Sequence, residues 1–451
     1  MQLTAWLDYQ QRVHPRAIAL GLDRVREVWT RLGVPVPAPV VITVGGTNGK
    51  GSTVAFLEAM LAAGGKRVGA YTSPHLLTYN ERVRIAGRDV DDATFVAAFE
   101  RIEAARGSDS SESIALTYFE YATLAALLIF ADSALDVALL EVGLGGRLDA
   151  VNIIDADAAI VTTVDLDHQD WLGNDRGSIG REKAGIFRAD RPAIAGEPDP
   201  PRTLIEHALR LGAPLYIAGR DFKIDAPSGA WSWSGWADRD ASADSGAAIE
   251  LPEPALIAPC QVDNAAAAIA ALYALRNRLG WNPVAIAAGV ANARIAARMQ
   301  RFGGEPQLIV DVAHNPQAAK VLAKWLEGTR SSGRTLAVFG ALGDKDVRGV
   351  VDALRSQFDA WYLAGLDQAS PRGLDADLLR AQIESVLDAN VVQASETTVD
   401  AALAAAFLQA QQGDRVIAFG SFFVASAALR FAHLHRLSEG TSSQLCHPTV
   451  R

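Results

Sequence analysis

Apolar residues first settle into a period over 16–32, where Ile18, Leu22, Val25, Val28, Trp29 and Leu32 recur at helical spacing. Gly33 and the prolines at 35, 37 and 39 close that predicted helix. The period then changes: 39–53 reads PVVITVGGTNGKGST, a β-branched run feeding a glycine-rich turn, with a strand ending near Val44. Helical spacing resumes over 52–63, and strand-like runs return at 67–71, 135–142, 158–163 and 191–195 with helical segments between, 178–188 among them. Alternation of this kind predicts a largely parallel sheet with helices on both faces. Ligands in that architecture gather at the carboxyl ends of the strands.

Beyond 219 the pattern weakens. Residues 219–256 are rich in Ser, Asp, Gly, Pro and Trp and read as a surface excursion with a short hairpin. The alternation of Trp231 and Trp233 with serine there suits a strand at a sheet edge with one covered face better than a stacking platform. Alanine-rich helices are predicted at 261–279 and 283–296. A second strand–helix series follows: QLIVDVAHN, a helix at 316–327, TLAVFGAL, a helix near 346–356, WYLAG, a helix near 374–387, then RVIAFGS and a final helix. We therefore divide the chain into a first domain over 1–296, a smaller Rossmann-like α/β domain over 297–436 and a disordered polar tail over 437–451. The first strand of the second domain lacks GxGxxG, so dinucleotide binding is not indicated.

Charge narrows the function. The 42 basic and 52 acidic residues leave a net charge of −10, and no basic block tracks a nucleic-acid backbone. An acidic protein that handles nucleotides must concentrate positive charge locally. Only Cys260 and Cys446 are present, without CxxC spacing, so neither a disulfide framework nor a structural zinc site is indicated and the cytoplasm is the expected compartment. The N-terminus lacks the basic-then-apolar pattern of an export signal, and no apolar run reaches about 18 residues, the length of a membrane anchor.

The stretch at 39–53 supplies that local positive charge. Its glycines let backbone N–H groups turn toward an anion, a helix beginning after Lys50 adds its positive end, and Lys50 reaches the outer phosphates. The spacing departs from the common P-loop: Val44 stands where the first glycine belongs, and Gly51 separates Lys50 from Ser52. The first domain thus reads as a P-loop-type ATPase. Other strand exits bring Thr72, Ser73 and His75, then Glu141, then Asp165, Asp167 and His168. Each has a plain reading: a turn before Pro74, a local backbone cap, a loop histidine. Their shared position around one phosphate loop favours a metal–nucleotide site. The glycine turn 143–152, with Arg147 and Asp149, is weak evidence alone, and Lys183 on its helix reads as an ordinary solvated lysine.

The separated motifs then add up. GTNGKGS at 46–52, SPHLLTYNERVRI at 73–85, LTYFEYATL at 116–124, EVGLGGRLDAVN at 141–152, DHQDWLG at 167–173, EKAGIFR at 182–188, ARMQ at 297–300, DVAHNP at 311–316 and GSFF at 420–423 occur in order. In that order the chain resembles the bacterial bifunctional dihydrofolate synthase/folylpolyglutamate synthases of the Mur ligase superfamily. The resemblance implies an ATP-dependent ligase that joins dihydropteroate to L-glutamate and later extends reduced folates, working as a monomer without nucleic acid or membrane. It implies ATP and one or two Mg2+ ions, and leaves room for a monovalent cation. Thr47, Asn48, Gly49, Lys50, Gly51 and Ser52 match the ATP loop, and Asn264, Arg298 and Asp311 match further nucleotide contacts. Ser52, Ser73, Glu141 and His168 match metal positions, and Lys183 matches a lysine that is carbamylated, which reverses its plain reading. Lys50, His168 and Lys183 are thereby the implied catalytic set. Leu20 and Gly21 of the first helix, Thr117, Tyr118, Phe119, Glu120 and Asp149 match the pterin side, with His314 and Ser421 toward glutamate. Ala297 departs from the family, which carries glycine there. A ligase acting on a UDP-sugar is disfavoured by GKGS and TYFE, and a nucleotide switch lacks an NKxD motif.

Overall fold

In a computed structural model, which describes all residues except 15, 17, 108–112, 227–229, 238–246, 330 and 441–451, the β-branched run forms β1 (Val40–Gly45), buried at every position. Two compact units result. One comprises Met1–Pro254 with Gln261–Arg294, the other Ala255–Cys260 with the chain from Ile295 onward.

The first unit runs α1 (Leu3–Val13), α2 (Asp23–Leu32), β1, α3 (Lys50–Ala63), β2 (Val68–Tyr71), β3 (Val83–Ile85), β4 (Arg88–Asp89), α4 (Asp92–Arg106), α5 (Tyr118–Ala131) and β5 (Val137–Glu141). It continues with β6 (Ala158–Val161), α6 (Gln169–Leu172), α7 (Arg176–Ala184), β7 (Ala193–Ala195), α8 (Arg202–Leu211), β8 (Leu215–Ile217), β9 (Lys223–Asp225), β10 (Trp231–Ser234), β11 (Ala248–Leu251), α9 (Gln261–Ala274), α10 (Arg276–Leu279) and α11 (Pro283–Asn292). Eight strands pair in the order β4-β3-β2-β5-β1-β6-β7-β8. From β2 to β8 every pairing is parallel, while β3 and β4 extend one edge antiparallel. The neighbours β1 and β6 send their connections to opposite sides, so a crevice opens at their carboxyl ends. Helix α5 is buried from Glu120 through Phe130; a helix apolar all round belongs inside a core.

Several expectations are corrected. The helix predicted over 16–32 begins at Asp23, because Gly21 adopts φ 142°, a conformation no helix accommodates. Leu20 and Gly21 therefore lie in a loop, and α1 precedes them. The single helix predicted over 261–279 is broken: the Arg276 guanidinium takes the Tyr273 carbonyl at 2.7 Å, diverting an acceptor that a continuous helix uses. The helix predicted over 283–296 stops at Asn292. In the excursion, Trp231 and Trp233 share the buried face of β10 as the alternation requires. That strand is the centre of the three-stranded sheet β11-β10-β9 and not an edge.

The second unit runs β12 (Gln300–Phe302), β13 (Gln307–Val310), α12 (Pro316–Gly328), β14 (Thr335–Phe339), α13 (Val347–Leu354), β15 (Ala360–Ala364), α14 (Ala376–Ile383), β16 (Val392–Glu396), α15 (Val399–Gln409), β17 (Arg415–Phe419) and α16 (Phe422–Leu434). Its strand order is β12-β13-β17-β14-β15-β16, parallel except for β12. Ala258 joins this unit's core, with Ile257 and Cys260 packed against it. The pair β16 and α15 was not foreseen: β16 is an edge strand without a fully buried residue, so it carries little hydrophobic signal. Most of the expected tail, 441–451 with Cys446, lies outside the described residues. Among the described residues no helix is long and apolar enough to cross a membrane.

Ala297, where the family pattern has glycine, sits in the left-handed region at φ 55° and is fully buried. The conformation costs a non-glycine residue about 1–2 kcal/mol. Removing the methyl forfeits about 0.8 kcal/mol of burial and adds freedom to the unfolded chain. The terms nearly cancel, so Ala297→Gly is expected to change stability by less than about 1 kcal/mol. Ala297→Val, β-branched at positive φ, should destabilise by about 2 kcal/mol. Urea unfolding midpoints of the two variants check this.

Candidate active site

Helix α3 opens on Lys50, capped by Gly49 at φ 88°, so two glycine-flanked residues, Thr47 and Asn48, turn from β1 into the helix. A side chain on Gly49 would meet Asn264 Oδ1 at 2.4 Å, and one on Gly46 (φ 146°) would meet Thr162 Oγ1 at 1.9 Å. Both positions demand glycine for close approach as well as for dihedral. The Lys50 ammonium donates to the carbonyls of Gly46 at 3.0 Å and Thr47 at 3.1 Å, which holds its charge over the loop. Gly51 and Ser52 are buried in the first turn of α3, where free N–H groups and the helix dipole favour an anion. Asn264, on α9, is buried against the loop and donates to Gln261 Oε1 at 3.1 Å.

The loop is stitched to the exit of β6. Thr47 N donates to Thr163 O at 2.8 Å, Asn48 N to Thr163 Oγ1 at 3.1 Å, and Asp165 N to Thr47 Oγ1 at 3.0 Å. Three residues on, His168 takes φ 51° and caps α6, its backbone N–H bonded to Asp167 Oδ1 at 2.9 Å. Glu141, the buried last residue of β5, accepts from Ser73 N just past β2 at 3.2 Å. The expected strand-exit residues thus converge at one end of one sheet.

Lys183 is buried on α7, which overturns its plain reading as a solvated lysine. Burial, followed by the positive charge of Lys50, brings its ammonium down to about 7, against the pull of Asp167 and Asp149. Asp149 is buried too, accepting from Leu144 N at 2.8 Å and Val151 N at 3.1 Å. Its carboxyl is raised to about 6 by burial, partly offset by backbone donors and Lys50.

The expected pterin residues separate into two kinds. Thr117 and Glu120 form a capping box at the start of α5, and Glu120 pairs with Arg24 at 2.9 Å. Tyr118 lies under the Arg82 guanidinium, 5.5 Å from its ring centroid. Phe119 lies over Gly143, where an added Cβ would approach its ring to 2.5 Å. Gly21 N approaches Leu148 O at 3.4 Å, which lays the 20–21 loop beside the 143–152 turn. Sequence reasoning passed over Arg82. It is buried, stacks on Tyr79 as well, and donates to His75 Nδ1 at 2.9 Å. Burial and then Arg82 lower His75 to about 4, so the imidazole is neutral.

In the second unit, Asp311 accepts from Met299 N at 2.8 Å and Ala313 N at 2.7 Å. Burial raises its carboxyl, with Arg298 opposing. Arg298 lies 5.7 Å from the Phe422 ring centroid and the His314 ring 6.1 Å from it. Ser421 caps α16 through Val424 N. Four expected residues thus gather at the ends of β13 and β17.

Identity over nearly the whole chain decides the family. A dihydrofolate synthase/folylpolyglutamate synthase of Escherichia coli (strain K12) is 45% identical over 421 residues, covering 93% of each chain. The chain belongs to the dihydrofolate synthase/folylpolyglutamate synthase family. Residues 297–422 match the family described as Mur ligase, glutamate ligase domain. A solved Escherichia coli member in complex with DHPP and ADP superposes with TM-score 0.87 at 43% identity, covering 97% of this chain and 99% of that one. A bifunctional folylpolyglutamate synthase/dihydrofolate synthase with Mn, AMPPNP and L-glutamate bound gives TM-score 0.83 at 42% identity, covering 96% and 98%. The two-unit α/β architecture is that of the family.

Proposed function

We infer that the protein is an ATP-dependent acid–amino-acid ligase that joins L-glutamate to dihydropteroate and adds further glutamates to reduced folates. The observation that carries the reading is the phosphate loop built around Lys50, with Ser73, Glu141 and the His168 loop gathered at the same sheet end, in a chain 45% identical to a member of this family.

A carboxylate does not acylate an amine at neutral pH until its oxygen becomes a good leaving group. The substrate carboxylate oxygen attacks the γ-phosphorus of ATP, the bond to the bridging oxygen breaks, and ADP departs, leaving an acyl phosphate. The neutral amine of glutamate then attacks the acyl carbon, phosphate leaves with the electron pair, and the amine proton goes to solvent. Lys50 and the N–H groups of residues 47–52 offset the charge that accumulates on the transferring phosphoryl group. Asn264 is proposed as a nucleotide contact of the first unit; in the second unit Arg298 and Asp311 are proposed as nucleotide contacts and His314 and Ser421 as glutamate contacts. On the pterin side, Tyr118, Phe119 and the 20–21 loop form the wall, while Thr117 and Glu120 hold the start of α5 and Asp149 fixes the 143–152 turn.

The donor chemistry fits a small divalent cation. Glu141 offers a buried carboxylate with Ser73 directly beside it, and His168 adds an imidazole, a mainly oxygen set that suits Mg2+ or Mn2+. Ser52, buried in the first turn of α3, is proposed as a further oxygen ligand. Bound there, the cation neutralises phosphate oxygens. Lys183 supports carbamylation: an amine lowered to about 7 is largely neutral near pH 7.5, hence nucleophilic toward CO2, and the product turns a buried cation into a carboxylate. The acidic composition and two cysteines support a cytoplasmic enzyme without nucleic-acid partners, and we propose that it works as a monomer.

Purified protein given ATP, Mg2+, dihydropteroate and L-glutamate should form ADP, phosphate and dihydrofolate in equal amounts. A parallel reaction with a tetrahydrofolate should lengthen it by glutamate. Product no greater than in a control without enzyme would sink the assignment.

A further inference from the structure

The exit of β6 bonds to the phosphate loop through Thr162, Thr163 and Asp165, and one residue among them turns away. Thr162 Oγ1 donates to Asn48 O at 2.5 Å, and Thr163 and Asp165 hold Asn48 and Thr47 as described. Val164 is 1% exposed, and both polar atoms of its backbone are taken by one ion pair. Its N–H donates to Glu197 Oε1 at 3.0 Å, and its carbonyl accepts from Arg176 Nε at 2.8 Å. The pair closes on itself through Arg176 Nη2 to Glu197 Oε2 at 3.1 Å, and Nη2 also donates to Asp199 O at 2.9 Å.

These two side chains come from different elements. Arg176 is the first residue of α7, the helix of Lys183, and Glu197 follows β7. The approach of β7 to β6 is close, since Gly196 N donates to Val161 O at 2.8 Å and a Cβ on Gly196 would meet Thr162 O at 2.8 Å. With the Val164 peptide gripped at both ends, the segment that presents residues 162–168 has one register against the loop.

We propose that Arg176 and Glu197 are positioning residues: they clamp the Val164 peptide and so fix the His168 loop against both the phosphate loop and the helix of Lys183. This rests on the reading of His168 as a metal-site residue and of Lys183 as a catalytic one. Both side chains grip the Val164 peptide, so the pair's effect passes through the backbone. Outer partners of this kind typically cost 10–100-fold in metal affinity or activity when removed.

The test measures Mn2+-dependent binding of a fluorescent ADP analogue, alongside kcat and the KM values, for the wild-type chain and for Glu197→Ala, Glu197→Gln and Arg176→Gln. Glu197→Ala and Arg176→Gln should raise the Mn2+ concentration for half-saturation by about 10–100-fold and lower kcat, with little change in the KM for dihydropteroate. Glu197→Gln keeps an acceptor for Val164 N–H and should fall between them and wild type. A wild-type Mn2+ midpoint in the alanine and glutamine variants overturns the clamp, including where the melting temperature falls, since that is what a merely structural pair would show. Should Glu197→Ala fail to fold, Arg176→Gln decides alone by the same criterion. If the wild-type chain forms no dihydrofolate, the proposed function fails, whereas the nucleotide readout still tests the clamp.

Discussion

Lys50→Ala lowers dihydrofolate formation by about 10²–10³-fold or more, the range seen when one donor to a developing oxyanion is removed, while the protein stays folded. Fold retention follows from position. Lys50 begins α3, where alanine is an excellent helix residue, and its ammonium donates to the loop carbonyls of Gly46 and Thr47. Gly46 and Gly49 keep the loop's backbone path without it, because their dihedrals and close approaches to Thr162 and Asn264 are independent of the side chain. Steady-state ADP release and a thermal melt check the two halves. Normal turnover would show that the anion is held elsewhere.

The second large effect belongs to Lys183. If its function is a carbamate, Lys183→Ala and Lys183→Arg should lose activity alike, by about 10–100-fold, because a guanidinium keeps the charge and cannot be deprotonated. A lysine acting as an ammonium would instead be partly replaced by arginine. The pH dependence has a definite sign. The ammonium is lowered to about 7, so the neutral amine, and with it the carbamate, is scarce at pH 6 and increases as pH rises through 7. Activity in bicarbonate-supplied enzyme should climb over that interval, and native intact mass should show the gain of one CO2. Unmodified mass in fully active protein would rule the modification out.

What the sequence made readable was chemistry pinned to strand ends. Glycine spacing with a lysine located the phosphate loop, and an acidic residue closing an apolar strand located Glu141. The same reasoning at 191–195 leads to Glu197 two residues past its strand, but nothing in the sequence pairs it with Arg176 or with the Val164 peptide. The plain reading of Lys183 as a solvated lysine fails for a different reason. Its helix is polar and short, and its depth is set by the distant 143–152 turn. Gly146 would place a Cβ 2.9 Å from Glu182 O and Gly185 one 2.3 Å from Arg147 Cβ, so two glycines press that turn onto the end of α7. Neither glycine announces its partner. The pair Arg24–Glu120 and the Arg82 stack were hidden likewise, since each joins residues from separate elements that only the tertiary fold brings together.

The six residues 255–260 alter how this chain can be taken apart. They belong to the later unit although some 34 residues of the earlier one, Gln261–Arg294, follow them. A gene cut near 296 would therefore produce two damaged polypeptides: the downstream fragment loses Ala258 from its core along with Ile257 and Cys260, and the upstream fragment keeps that strip with nothing to bury it. During synthesis the strip, made well before the downstream half, must likewise wait uncovered until that half is made and captures it. Dissection into independently expressed halves calls for a circularly rearranged gene or an added copy of 255–260, and simple truncation should give insoluble material.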